Sequence, residues 1–191
     1  AKGSSEPISS AAVASKLATE IGYPVIIKAA AGGGGIGMQI VSKSDEFENA
    51  LKLCQSRAKS AFGDERVFVE KYIQGAQHIE FQVLADGETA IHFGERFCSI
   101  QRRHQKLVEE GPWLDEKTRA EIGELVCRGA ESVGYKGLAT FEFLRDGKGD
   151  FYFLEVNPRV QVEHTVTELI TGYNLVELGI RVAQGEKLPL T

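Results

Sequence analysis

Residues 31–37 read Ala-Gly-Gly-Gly-Gly-Ile-Gly, and this run constrains the chain more than any other feature. A glycine inside a helix or strand costs about 1 kcal/mol relative to alanine, so four in succession exclude regular structure there. Apolar, strand-like segments flank the run, Val25-Ile26-Ile27 before it and Met38-Gln39-Ile40-Val41 after it. Gly32, Gly34 and Gly37 formally match the G-x-G-x-x-G spacing, but no helix pattern opens after Gly37, so the dinucleotide-binding context fails. A P-loop fails too, because the nearby cation, Lys28, precedes the glycines instead of following them. Two readings remain. One is a mobile linker. The other is a hairpin flap in which Gly32, Gly33, Gly34, Gly35 and Gly37 offer backbone N–H groups to phosphates while Lys28 reaches them from the adjoining strand. Linkers usually also carry Ser, Pro and charge, so tight apolar strands on both sides favour the flap.

The rest of the chain alternates short helices and strands. Ser9–Ile21 reads as a helix with Val13, Leu17 and Ile21 four apart, and Ser44–Ser60 as another, with Ser44 as cap and Phe47, Leu51 and Cys54 inward. Strands are expected at 67–73, 79–85 and 89–100, a loop at 107–112, and a long helix capped by Asp115 with Ile122, Val126 and Ala130 on one face. A hairpin at 138–145 and 150–156 turns around Asp146-Gly147-Lys148-Gly149, and helices at 166–171 and 175–184 follow. This order predicts an α+β fold of antiparallel sheets with packed helices.

Several classes drop out. Against 27 Asp+Glu, 22 Lys+Arg leave a net charge of −5, which opposes a nucleic-acid coat but permits a local basic pocket. No apolar run approaches the roughly 20 residues of a bilayer span, and no signal-peptide pattern is present, so no membrane partner is expected. Cys54, Cys98 and Cys127 form no Cys-x-x-Cys pair, which fits a reducing compartment, cytoplasm or mitochondrial matrix, better than a disulfide scaffold. The absence of an initiator Met and the ending on Leu-Pro-Leu-Thr suggest part of a longer polypeptide.

Two stretches carry chemistry. If Arg145 lies opposite Asp150, Glu142 faces Phe153 and Thr140 faces Glu155, which puts Glu142 and Glu155 on one face as diagonal neighbours about 7–8 Å apart. Their carboxylates could hold one hard cation or bridge two, Mg²⁺ or Mn²⁺. Glu155, Asn157, Arg159, Gln161 and Glu163 then recur at every second residue, and Pro158 supports an extended segment. With Phe151 and Phe153 on the same face as Glu155, this row is expected to run from core into a site rather than along a solvated surface. The basic run Gln101-Arg102-Arg103-His104-Gln105-Lys106 decides little alone; it suits a solvated face, or a cleft where His104 and Lys106 offset phosphate or carbonate charge.

Together these residues resemble the ATP-grasp domain of the biotin carboxylase component of biotin-dependent carboxylases. The resemblance covers nearly the whole chain: Gly22-Tyr23-Pro24-Val25-Ile26-Ile27-Lys28 with the glycine loop, Val69-Glu70-Lys71-Tyr72-Ile73, Cys98-Ser99-Ile100-Gln101-Arg102-Arg103-His104-Gln105-Lys106, and Phe153-Leu154-Glu155-Val156-Asn157-Pro158-Arg159-Val160-Gln161-Val162-Glu163-His164. The last two stretches are the most specific. Carbamoyl-phosphate synthetases share the fold and the flap, but would not be expected to join the Arg-Arg-His-Gln-Lys run to Gln161-Val162-Glu163-His164.

The resemblance implies a reaction: ATP and bicarbonate give carboxyphosphate, whose carboxyl group passes to biotin. It also implies roles. Lys28 and the glycine loop hold phosphates; Glu70, Lys71 and Ile73 line the adenine pocket; His78, Gln101 and His104 lie near ribose and phosphates. Glu142, Glu155 and Asn157 bind Mg²⁺ or Mn²⁺. Lys106, Arg159, Gln161 and the Val162 backbone bind bicarbonate, and Glu163 is the general base. Implied partners are free biotin or a biotinylated carrier domain and a carboxyltransferase, in a homo-oligomeric parent. The lobes are expected as a flap lobe at 1–85 and a metal and bicarbonate lobe at 86–191, with a Rossmann-like lobe before and a further region after. Ile36 departs from the family, where many members place a basic residue in the flap. The rival readings are another ATP-grasp ligase, such as a carbamoyl-phosphate synthetase or purine-pathway enzyme, and a non-catalytic nucleotide-binding module.

Overall fold

The computed structural model describes residues 1–31, 37–102 and 105–188. Gly32, Gly33, Gly34, Gly35, Ile36 and His104, singled out above, lie outside the described residues. The chain divides into two units, Ala1–Gln74 and Gly75–Thr191.

The first unit holds α1 (Ala11–Ile21), β1 (Val25–Ala29), β2 (Met38–Val41), α2 (Ser44–Phe62) and β3 (Val67–Lys71). The strands form an antiparallel sheet in the order β2-β1-β3, and alternate residues Val25, Ile27, Val67 and Val69 are buried against the helices. On α1 the residues that sink into this core are Ala14 and Ala18, with Leu17 and Ile21 at its margin and Val13 exposed, because small side chains allow the helix closest approach. On α2 Phe47, Leu51 and Cys54 face inward as expected, although the cap position is Lys43 and Ser44 is already helical.

The second unit holds β4 (Gln77–Asp86), β5 (Ala90–Arg102), β6 (Gln105–Glu110), α3 (Glu116–Ser132), β7 (Lys136–Arg145), β8 (Phe151–Asn157), α4 (His164–Thr171) and α5 (Leu175–Ala183). Its sheet is antiparallel, ordered β6-β5-β4-β7-β8. β4, which the sequence reading places with the first lobe, is the centre of this second sheet. One face of β4, with Ile79, Phe81, Val83 and Ala85, packs with Val126 and Ala130 of α3. The other carries Leu84 against Leu178 and Val182 of α5, and beyond it only polar groups, Glu80 and Gln82. That polar half of a buried sheet face holds the site.

Three expectations change. Residues 107–110 belong to β6 rather than to a loop; the sequence 101–106 has no Gly, Pro, Asn or Asp to signal a hairpin, and Leu107, 59% exposed, gives the edge strand no inward pattern. In the hairpin of β7 and β8, Arg145 faces Phe151, because the loop spans five residues closed by the Asp146 carboxylate accepting from the N–H groups of Lys148 and Asp150. A bulge at Leu154 then shifts the register again, so that Phe143 faces Phe153 but Glu142 faces Glu155. The bulge turns Glu155 to the face opposite Phe153, so the two do not share a face. Finally, the extended row ends at Asn157; Gln161 lies in a loop and Glu163 at the cap of α4.

Candidate active site

Strand pairing lines up one row of charge across the second sheet. Arg96 on β5 pairs with Glu80 on β4, Glu80 with Glu142 on β7, and Glu142 with Glu155 on β8, and paired residues project from the same face. Three carboxylates side by side repel one another and need cations. Arg96, completely buried, donates Nε–H to Glu80 Oε1 at 2.6 Å. Lys106 reaches the row from β6, where its partner Gln101 points the same way. Its Nζ donates to Glu80 Oε2, to Glu142 Oε1 at 3.2 Å and to Glu163 Oε1 at 2.5 Å.

Further donors complete the Glu142 shell. Oε1 accepts from Asn157 Nδ2 at 2.8 Å and Gln161 Nε2 at 3.0 Å, while Oε2 meets His78 Nε2 at 2.7 Å. Gln101 Nε2 contacts the other ring nitrogen of His78 at 2.7 Å. Burial raises the affinity of the Glu142 carboxyl for its proton, yet hydrogen bonds from His78 and Gln161 and the charge of Lys106 outweigh burial and bring its pKa down to about 2. Burial likewise opposes ionisation of Glu163, and the hydrogen bond and charge of Lys106 again win, holding that carboxyl below its ordinary range. Burial pulls Lys106 toward neutrality, but Glu80, Glu163 and Glu142 surround it and push its pKa up. Formally two cations, Arg96 and Lys106, stand against three carboxylates, Glu80, Glu142 and Glu163.

A cation site fits the outer end of the row. Glu155 is exposed and directly opposite Glu142, and among the described residues no Lys or Arg pairs with it. Among the described residues Glu142 Oε2 has a single partner, and Asn157 Oδ1 accepts only a long contact from Arg159 at 3.4 Å. These donors are all oxygens on adjacent positions, the chemistry that suits Mg²⁺ or Mn²⁺.

The structure therefore brings together Lys106, Glu142, Asn157, Gln161, Glu163, His78 and Gln101, with Glu155 at the edge. Gln161 is buried, and among the described residues its Oε1 has no hydrogen-bond partner, an acceptor beside the Lys106 cluster. Arg159 is exposed and touches the Val160 carbonyl; the Val162 side chain is 90% exposed, leaving its backbone as the useful part. In the first unit, Lys28 Nζ pairs with Glu70 at 2.7 Å, both partly buried. Lys71 Nζ donates to the carbonyls of Gly22 and Tyr23 at 2.8 and 3.0 Å, so its side chain is occupied and its backbone, with half-buried Ile73, remains for a ligand. Gly37, with φ +79°, places its carbonyl against the Ala29 N–H at 2.9 Å at the exit of the glycine run.

Sequence reasoning missed Glu80, Gln82, Arg96, Thr140 and Thr167, all buried. A signal existed: His78-Ile-Glu-Phe-Gln82 alternates polar and apolar residues inside a strand otherwise buried on both faces.

A family model described as the carbamoyl-phosphate synthase L chain, ATP-binding domain, matches residues 1–191. Biotin carboxylase 2, chloroplastic, of Populus trichocarpa is 53% identical over 97% of this chain and 36% of its own length. The biotin carboxylase of a Nostoc species is 52% identical over 92% of this chain and 40% of its own length. A crystal structure of biotin carboxylase from Campylobacter jejuni, in a β,γ-ATP complex, superposes with a TM-score of 0.94 at 52% identity, covering 99% of this chain and 43% of that one. The biotin carboxylase domain dimer of the Hydrogenobacter thermophilus 2-oxoglutarate carboxylase, solved with MgADP, ADP and bicarbonate, also gives 0.94, at 47% identity over 99% and 42%. The chain thus spans about two-fifths of the length of these four proteins, and its α+β architecture is that of their ATP-grasp domains.

Proposed function

Since this chain belongs to the family of the carbamoyl-phosphate synthase L chain ATP-binding domain, we propose that it is the ATP-cleaving portion of a biotin carboxylase, which uses ATP and bicarbonate to carboxylate biotin through carboxyphosphate. The observation that carries this reading is the convergence at Glu142 of the two most specific motifs: Lys106 from the basic run, and Asn157 at the end of β8 with Gln161 beyond it, Glu163 standing on Lys106.

Each residue then has a task. Lys106 and Arg159 supply positive charge for bicarbonate, Arg159 with the planar fork that matches two of its oxygens. Gln161, buried beside the Lys106 cluster, borders the bicarbonate with its side-chain amide and leaves the single bicarbonate hydroxyl to Glu163. Glu163, kept ionised beside Lys106, takes the bicarbonate proton as the oxygen attacks the γ-phosphate of ATP. Lys28 and the backbone of the glycine run hold the phosphates, and the Lys71–Ile73 backbone and Glu70 line the adenine side. Glu142, Glu155 and Asn157 would hold Mg²⁺ or Mn²⁺, which when bound neutralises charge on the β- and γ-phosphates. ADP leaves as carboxyphosphate forms; the carboxyl group then passes to the ureido nitrogen of biotin on a carrier domain with release of phosphate, and a carboxyltransferase moves it from carboxybiotin to the final acceptor, in a homo-oligomeric parent.

The test uses the full-length parent. ATP cleavage that requires bicarbonate and rises with free biotin is expected, and Glu163→Gln should abolish it. Bicarbonate-dependent cleavage indifferent to biotin would instead favour a carbamoyl-phosphate-type ligase, and full activity in Glu163→Gln would remove Glu163 as the base.

A further inference from the structure

Among the described residues Arg96 forms no hydrogen bond to the groups assigned to bicarbonate or metal, yet it is the largest fully buried side chain. Its Nε donates to Glu80, and its Nη1 donates to Gln82 Oε1 at 2.9 Å and Thr167 Oγ1 at 2.8 Å. Its Nη2 lies 3.5 Å from Thr140 Oγ1. Three of these partners stand on the sheet. Thr167 alone belongs to a helix, α4, and follows Glu163 by four residues, so the two project from one side of that helix.

We propose that Arg96 and Thr167 are positioning residues that set where the Glu163 carboxylate stands relative to Lys106. The contacts close a ring: Arg96 to Glu80, Glu80 to Lys106, Lys106 to Glu163, one helical turn to Thr167, and Thr167 back to Arg96. Glu80 is the hub, with Oε1 on Arg96 and Oε2 on Lys106. The first turn of α4 is thus pinned to the sheet at two points a turn apart, a cation on a carboxylate and a cation on a hydroxyl. The Glu163 side chain contributes no cap to its own helix, which leaves its carboxylate for Lys106. Removing the Thr167 hydroxyl releases the second pin without touching the charges. Thr167 is 2% exposed, so a valine of similar volume would preserve packing if packing were its purpose.

The inference rests on the function proposed above and deepens it. In the full-length parent, Thr167→Val should lower kcat/KM for bicarbonate about tenfold, the scale of one hydrogen bond lost from a charged donor, while KM for ATP stays unchanged. The acid limb of the pH profile should move to higher pH as Lys106 loosens from Glu163. Thr167→Ser, which restores the hydroxyl, should recover both. A folded Thr167→Val protein, verified by circular dichroism, with the parent's bicarbonate KM and acid limb overturns the proposal. If that variant does not fold, Thr167→Ala, which favours helix, is read in the same way. An unaltered parent without bicarbonate-dependent ATP cleavage would refute the functional reading itself, whereas an active parent with an indifferent variant refutes only the positioning role.

Discussion

Glu142→Gln tests the electrostatics of the site without reference to catalysis. The side chain is 5% exposed, so solvent screens its partners little. Its carboxyl falls from an ordinary 4.5 to about 2 in the fold, because donors from His78 and Gln161 and the charge of Lys106 outweigh burial. At 1.36 kcal/mol per pH unit this is about 3 kcal/mol of folding free energy. The folded value is the depressed one, so the contribution is complete above the unfolded value and drains away as pH falls from about 4.5 toward 2; at pH 3 about 2 kcal/mol of it is gone. Glutamine keeps the shape and most hydrogen bonds but has no proton equilibrium. Urea unfolding at pH 6 and pH 3 should show the unaltered chain losing about 2 kcal/mol more than Glu142→Gln over that interval, a difference of about 1 M in midpoint shift. Parallel loss in both proteins, within 0.5 kcal/mol or so, would show that Glu142 is not held ionised by these partners and would sink the account.

Two other perturbations probe the scaffold. Gly37 has φ +79°, and a Cβ there would stand 2.8 Å from the Ala29 Cβ, so Gly37→Ala should cost about 1–3 kcal/mol, read as a lowered Tm. A variant as stable as the parent would mean the strand exit is not fixed. Glu95, buried beneath the same strand as Arg96, accepts from the N–H groups of Trp113 and Leu114 at 2.8 Å and pairs with Arg119 at 2.7 Å. Glu95→Gln weakens this clamp, and since Trp113 is the chain's one tryptophan and stacks on Phe97 at 4.2 Å, its fluorescence should shift red before global unfolding. Coincident fluorescence and circular dichroism transitions would count against local loosening.

The chemistry-bearing residues were legible because function demands particular types at particular spacings. Gln101 to Lys106 and Glu155 to Glu163 announced cations and carboxylates near the ends of strands. Alternation also announced both sheets and the buried faces of α2 and α3. What sequence could not supply was register. The bulge at Leu154 moves Glu155 from a diagonal to a direct partner of Glu142 and turns it away from Phe153, and no residue type marks that insertion. The sequence 101–106 has no turn residues, so 107–110, the part of β6 beyond Lys106, read as a loop. Arg96, Glu80 and Thr167 were invisible for a related reason. Each is an ordinary polar residue in its own element, and becomes buried only when β5, β4 and α4 close over one another. Local sequence thus determined which groups could do chemistry and which segments were strands or helices, since those follow from side-chain type and period. Tertiary pairing alone decided that five strands place Arg96, Glu80, Glu142 and Glu155 in one row with Lys106 across it, because cross-strand proximity depends on residues distant in the chain.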